Sequence, residues 1–215
     1  MRKPLLIARQ GRRPSGLLGQ IVARVMAKET APENALALDL LQLAPADATL
    51  EIGCGHGHTL AKAAAATPHG FASGIDFSWV MHRYAMRRHR RLVDAGRLEF
   101  RFGSSDSLPY DARAFDKALS VHTIYFWTAP LDHLREIRRV LKPGGRFVLG
   151  FRPGEDPAFD ATFPAEVYCI RSETEVADLV RSAGFRVVDV ARRTDAGKRM
   201  SFIVASADAT RGEPG

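Results

Sequence analysis

The chain has 215 residues, 46% of them hydrophobic and 8% aromatic, with a formal net charge of +7. Such a length supports one sizeable core, or one core with an appendage, and the composition is that of an ordinary globular domain. There is no apolar run near the roughly 20 residues that span a bilayer and no secretory h-region behind the basic start. Cys54 and Cys169 form neither a disulfide framework nor a metal-ligand spacing, so the expected setting is a reducing cytoplasm.

The charge excess sits at the start. Residues 1–28 carry Arg2, Lys3, Arg9, Arg12, Arg13, Arg24 and Lys28 and no acid, while the rest balances 24 basic against 24 acidic residues. A high pI with this distribution does not by itself make the chain a nucleic-acid binder. After Pro- and Gly-punctuated sequence, Leu17, Leu18, Ile21, Val22, Val25 and Met26 recur at helical spacing behind Ser15, a candidate N-cap. A second helix, "APENALALDLLQL", is ended by Pro45.

From there strands and helices alternate. "ATLEIG" reads as a strand, "HTLAKAAAA" as a helix, "GFASGID" as a strand and "SWVMHRYAMRRHRRLVDAG" as one helix. "RLEFRFG" and "FDKALSV" are strands, "PLDHLREIRRVLK" is a helix, and "RFVLGF" follows the "PGG" turn as a strand. "SETEVADLVRSAG" opens with a capping box, Ser172 with Glu175. "FRVVDV" and "RMSFIVASA" close the pattern, too close together for a crossover helix, so they should pair as an antiparallel hairpin. This alternation predicts an α/β fold: a Rossmann-like, mostly parallel sheet of seven strands with helices on both faces and an antiparallel last strand. Residues 1–44 read as a basic amphipathic helical cap, 45–207 as the α/β domain and 208–215 as a disordered tail.

The stretch "LEIGCGHGHTL", residues 50–60, falls at strand end, loop and helix start, where a doubly wound sheet takes its ligand. Glycine lets the backbone approach a ligand, and the helix start offers unpaired N–H groups, although buried turns also use glycine for packing. A P-loop spacing is absent, and a G-x-G-x-x-G fingerprint fails because position 58 is His58. The pattern is E-x-G-x-G-x-G, with Glu51 two residues before Gly53, and an acid there suits a cationic amine better than a pyrophosphate. Asp76 ends the second strand about 20 residues on, where an acid accepts ribose hydroxyls. The competing role for Asp76 is a helix cap, which Ser78 could also supply.

"LEIGCGHG", "GIDFS", "GSSDSLPYDARAFDKALSV" and "LREIRRVLKPGGRFVLGF", in that order, resemble the class I S-adenosylmethionine-dependent methyltransferases, particularly their small-molecule branch. The resemblance spans about residues 45–205, which makes 45–207 the cofactor-binding methyltransferase domain. It implies S-adenosylmethionine as cofactor and S-adenosylhomocysteine as product. Glu51, Gly53, Cys54, Gly55 and Gly57 would line the methionine part, Asp76 the ribose and Phe77 the adenine. Ser104 stands where the family carries a carboxylate near the adenine amine, with Asp106 two residues on, and Ser105 and Ser120 complete the cofactor set.

The sulfonium carries an activated methyl, so the protein has to position a nucleophile in line with it. "SVHTIYFWTAP" should border that methyl, making His122 and then Tyr125 the candidates for a base or acceptor-binding group. His122 could equally order the cofactor or end the strand, and Phe126 and Trp127 read as packing rather than a cage. "HTIY" does not match the Asp/Asn-Pro-Pro-Tyr/Phe motif of amino-nitrogen methylation. His56 and His58 could chelate a metal, but the loop's backbone role explains them, so no metal is expected.

The expected acceptor is a small organic molecule at O, N or C. An RNA or protein acceptor is the rival, favoured if the arm and the basic stripe "HRYAMRRHRR" form one surface. A non-catalytic cofactor-binding scaffold is a second rival. The arm reads first as a lid over the site, then as a contact to RNA or an anionic membrane, and its apolar residues would also support a homodimer.

Overall fold

The computed structural model describes residues 3–156, 159, 162–195 and 197–208. Seven strands form one sheet: β1 Ala48–Ile52, β2 Phe71–Asp76, β3 Leu98–Phe102, β4 Phe115–Val121, β5 Leu141–Phe151, β6 Arg186–Asp195 and β7 Lys198–Ser206. Their order is β3-β2-β1-β4-β5-β7-β6. Pairs β1–β2, β1–β4, β2–β3 and β4–β5 are parallel, and β7 runs antiparallel to both β5 and β6. The chain builds outward from β1 to β3, then returns to the other side at β4. The switch point therefore lies between β1 and β4, where the carboxyl ends leave a crevice.

The helices are α1 Leu5–Arg12, α2 Gly16–Glu29, α3 Ala31–Leu41, α4 His58–Ala66, α5 Trp79–Arg88, α6 Arg90–Asp94, α7 Pro130–Val140 and α8 Glu173–Ser182. Neighbouring strand residues serve opposite faces. Phe147 and Leu149 of β5 pack with Leu134 and Ile137 of α7 and Val176 and Val180 of α8. Val148 between them packs with Ala37 and Leu41 of α3 and with Phe202 of β7. Leu60 and Ala64 of α4 cover Ala72, Leu98 and Phe100. Each fully buried large side chain contributes roughly 1.5–3 kcal/mol, so both faces of the sheet hold the crevice rigid.

The segment before α3 is more ordered into helix than its punctuation suggested. α1 is a helix of eight residues laid across the crevice as a strap. The Lys3 N–H donates to the Thr162 carbonyl at 2.8 Å at one end, and Pro14 accepts from the Ser78 hydroxyl at 2.7 Å at the other. Ala8, buried in the main core, pins the middle. Ser15 precedes α2, but its hydroxyl accepts from the Gln10 side chain at 3.0 Å.

Other boundaries moved for visible reasons. The single helix expected over 78–96 breaks at His89, whose ring nitrogen lies 3.1 Å from the His56 carbonyl and whose ring stacks on Phe100. α7 stops at Val140, and Leu141 already pairs with Phe115 ahead of a bulge, so β5 begins before the "PGG" turn. The last hairpin zips up to Asp195 and Lys198. The capping box of α8 is present, with both reciprocal bonds between Ser172 and Glu175. Of the tail expected from 208, Asp208 is held by Arg186, Ser206 and Arg138, and residues 209–215 lie outside the described residues.

Candidate functional site

A cleft of about 380 Å³ opens at the switch point. Its floor is the glycine loop after β1, one wall the ends of β2 and β3, and the other the loop after β4. Gly11, Arg12 and Pro14 of the strap and Thr30 and Asn34 at the start of α3 close over it. The loop is drawn onto the sheet by Gly53 and Cys54, whose N–H groups both donate to the Ile75 carbonyl at 2.8 and 3.2 Å. Gly55 has φ +52°, and a Cβ placed there would meet no atom within 4 Å. Its backbone is open to a ligand in a conformation that other residues rarely adopt.

Two carboxylates lie under this floor. Asp76 is buried, with one oxygen accepting the Gly55 N–H at 2.9 Å and the other the Ser78 N–H at 2.7 Å. It thus ties the loop to the β2 turn while Ser78 caps α5. Burial raises its pKa, and the Ser78 and Gly55 N–H donors offset only part of that rise. Glu51 is also buried, and its Oε2 has no hydrogen-bond partner among the described residues. Burial first, and then the neighbouring Asp76 charge, push Glu51 well above the ordinary carboxylate range. A buried unpaired carboxylate oxygen is costly unless a cationic donor joins it. The residues present therefore fit a ligand that brings an ammonium to Glu51 and a compact chain over Gly55, as S-adenosylmethionine would.

The loop after β4 builds the opposite wall. His122 has φ +61°, a left-handed backbone for a non-glycine residue. Tyr125 accepts the Arg152 N–H at 2.5 Å, and its hydroxyl stands 3.2 Å from His122 Nδ1. With a backbone donor already on its oxygen, Tyr125 gives its one proton to Nδ1, so the neutral imidazole carries its own proton on Nε2. His122 Nε2 is buried and has no partner among the described residues. Burial, with the Arg152 and Lys198 charges, pushes the His122 pKa down to about 4, and burial raises Tyr125 above its ordinary value. Both are neutral at pH 7.

The cleft brings together Glu51, Gly53, Cys54, Gly55, Asp76, Phe77, Ser104, Ser105 and His122. Three sequence candidates stand behind it. Gly57 caps α4 at φ +73°, and a Cβ there would come within 2.5 Å of Phe100. Ser120 is fully buried against Thr123, and Tyr125 supports His122 from below. Phe126 and Trp127 both line the cleft, Trp127 being buried and stacked on His133 at 4.8 Å. His133 itself is a site residue that the sequence did not reveal. Its Nδ1 lies 2.8 Å from the Ser105 hydroxyl, fixing that loop. The pair is 28 residues apart on unrelated elements, so no spacing could have signalled it. Arg12, Thr30 and Asn34 were hidden for the same reason.

A mostly parallel sheet with this order, a glycine loop at its switch point and an acid closing β2 define a Rossmann-like protein. Residues 50–149 match the family model described as a methyltransferase domain. The O-methyltransferase cnsE of Penicillium expansum is 29% identical over 157 residues, which cover 70% of this chain and 56% of that relative. The uncharacterized methyltransferase YdaC of Bacillus subtilis (strain 168) is 27% identical over 177 residues, covering 79% of this chain and 88% of YdaC. A SAM dependent methyltransferase from Aquifex aeolicus shares the fold, with a TM-score of 0.67 at 24% identity over 81% of this chain and 89% of that one. The matched stretch and these relatives together support a class I S-adenosylmethionine-dependent methyltransferase. The chain spans just over half the length of the Penicillium relative.

Proposed function

We propose that the chain transfers a methyl group from S-adenosylmethionine to a small organic acceptor by in-line displacement. The observation that carries this is the unpartnered, buried Glu51 oxygen beside the open Gly55 backbone. When bound, the cofactor supplies an electrophilic methyl on sulfur. Glu51 would accept its ammonium, Gly53, Cys54 and Gly55 would border the methionine chain, and Asp76 would take the ribose with oxygens already fixed by two N–H groups. Phe77 would lie against the adenine, with Ser104, Ser105 and Asp106 at its amine edge. Gly57 and Ser120 hold this constellation from beneath.

His122 is proposed to orient the acceptor rather than to deprotonate it. A pKa of about 4 makes it a poor base toward a hydroxyl or ammonium. A tautomer with the proton on Nε2 would instead donate to an acceptor oxygen, while Tyr125 holds the ring. Phe126, Trp127 and the strap would exclude water, so positioning would supply most of the rate, on the order of 7–11 kcal/mol. A small O-linked acceptor is supported by the O-methyltransferase name of the Penicillium relative. A reducing, cytoplasmic setting belongs to the same reading and is supported by the free thiols of Cys54 and Cys169.

The test is acceptor-dependent formation of S-adenosylhomocysteine, read by mass spectrometry with deuteromethyl cofactor across phenols, carboxylic acids, alcohols and amines. The expected result is a deuteromethylated product from an oxygen acceptor. A folded protein that binds the cofactor yet methylates none of these classes contradicts methyl transfer to a small acceptor.

A further inference from the structure

Basic residues and exposed apolar residues are gathered at one edge of the molecule in a way that the methyl-transfer site does not use. The large hydrophobic side chains that stand exposed among the described residues are Leu5, Leu6, Ile21, Val25, Trp79, Phe102 and Val188. All but Val188 lie on α1, α2, the start of α5 or the end of edge strand β3. Leu6, Ile21, Val25 and Trp79 are 61%, 57%, 52% and 53% exposed.

These elements adjoin. α1 packs on α2, α2 on α5 and α5 on β3. The Ser78 hydroxyl donates to Pro14, and the Arg13 guanidinium lies 5.8 Å from the centre of the Phe77 ring. Trp79 stacks on His82 and meets Phe102 edge-on at 5.4 Å.

On each helix the exposed apolar residue shares a stripe with basic ones. Leu6, Arg9 and Arg13 are spaced three and four apart, as are Ile21, Val25 and Lys28. Trp79, Arg83 and Arg87 follow at intervals of four. These arginines and Lys28 are exposed and have no carboxylate partner among the described residues. No acid occurs before Glu29 or between Asp76 and Asp94.

We infer that this edge docks on an anionic lipid surface. The charge pattern calls for an anionic partner, since cations with no interspersed acid repel one another until counter-charge arrives. The aliphatic residues decide its kind. Leu5, Leu6, Ile21 and Val25 have neither the planar faces that stack on bases nor polar groups for a phosphate backbone. They suit the boundary between headgroups and acyl chains, where apolar side chains insert beneath a ring of Arg and Lys, and Trp79 has the amphipathic ring favoured at that depth. The edge borders the cleft through Arg12, Pro14, Phe77 and Met81. Docking therefore brings the mouth to the lipid interface, where an amphiphilic molecule would be concentrated.

Flotation of the full chain with vesicles of phosphatidylglycerol and phosphatidylcholine, against phosphatidylcholine alone, tests this. Wild type should float with the anionic vesicles, and added salt should weaken but not abolish it. Leu6→Asp/Ile21→Asp/Val25→Asp should reduce the bound fraction at least about tenfold, and Arg83→Glu/Arg87→Glu should act in the same direction. None of these residues lines the cleft, so calorimetric binding of S-adenosylhomocysteine should be unchanged in both variants and reports separately on the methyltransferase site. Absence of flotation, or flotation equal in the variants, overturns the inference. So does binding of a single-stranded RNA in place of vesicles, with a steep salt slope, or a wild-type dimer that the apolar variant converts to monomer without any vesicle binding.

Discussion

Glu51 and the Nε2 of His122 are both buried where the fold disfavours charge, and they make opposite predictions. Glu51 is pushed up, so ionising it destabilises the fold increasingly as pH rises above the ordinary value of 4.5. Glu51→Gln should therefore raise the melting temperature at pH 7 by a few degrees while weakening S-adenosylhomocysteine at least about tenfold. Scanning fluorimetry and calorimetry on the same sample read the two effects. A variant with lower stability and unchanged affinity would make Glu51 a structural acid instead. His122 is pushed down, from 6.5 to about 4. Between those values the unfolded chain takes a proton that the folded chain refuses, so stability is complete above about 6.5 and falls as pH drops toward 4. The loss is on the order of 3 kcal/mol. Urea titrations of His122→Gln should show a shallower loss over that window than wild type, although His56, His58, His82, His89 and His133 share the direction.

At the scale of elements, the glycine loop separates binding from stability. Gly55 and Gly57 both have positive φ, but a Cβ at Gly55 meets open cleft, whereas one at Gly57 drives into Phe100. Gly55→Ala should cost only about 1 kcal/mol of backbone strain and yet impair cofactor binding. Gly57→Ala should cost more than about 2 kcal/mol, because strain and overpacking add. Denaturant melts of the two variants beside calorimetry would expose the division, and equal losses of stability would deny it. Alternation of buried strands and periodic helices made the sheet, its hairpin and the loop legible in the sequence. β1 and β2 are almost wholly buried and flanked by turn residues, which leaves little ambiguity. The break at His89 was not legible, since it depends on a ring reaching the His56 carbonyl, 33 residues away. Nor could "EIGCGHG" tell that its third glycine faces Phe100 while its second faces the cleft. That difference arises only when β3 is laid beside β2.

Across the whole molecule, the basic arm presents two different sides. Its inner side straps the cleft, with Lys3 on Thr162, Ala8 in the core and Pro14 on Ser78. Its outer side carries exposed aliphatics and cations that have no carboxylate partner among the described residues. Ala8→Asp places a charge in that buried contact and should unlatch α1. Dissociation of S-adenosylhomocysteine, followed by stopped flow, should then quicken several-fold while the sheet stays folded. An unchanged rate would mean that α1 does not hold the ligand in the cleft. The charge imbalance of this arm was plain in the sequence, but α1 was concealed by its Pro and Gly punctuation, and its route was fixed by contacts more than 60 residues away. The cleft is built for the methyl donor rather than for a dinucleotide. Calorimetric titration of the full chain with S-adenosylhomocysteine, beside NAD and repeated on Asp76→Ala, tests it most directly. The expected result is one site per chain for S-adenosylhomocysteine, no heat with NAD, and at least about tenfold weaker binding in the variant. Tight binding of NAD, or a folded wild type that ignores S-adenosylhomocysteine, would contradict it.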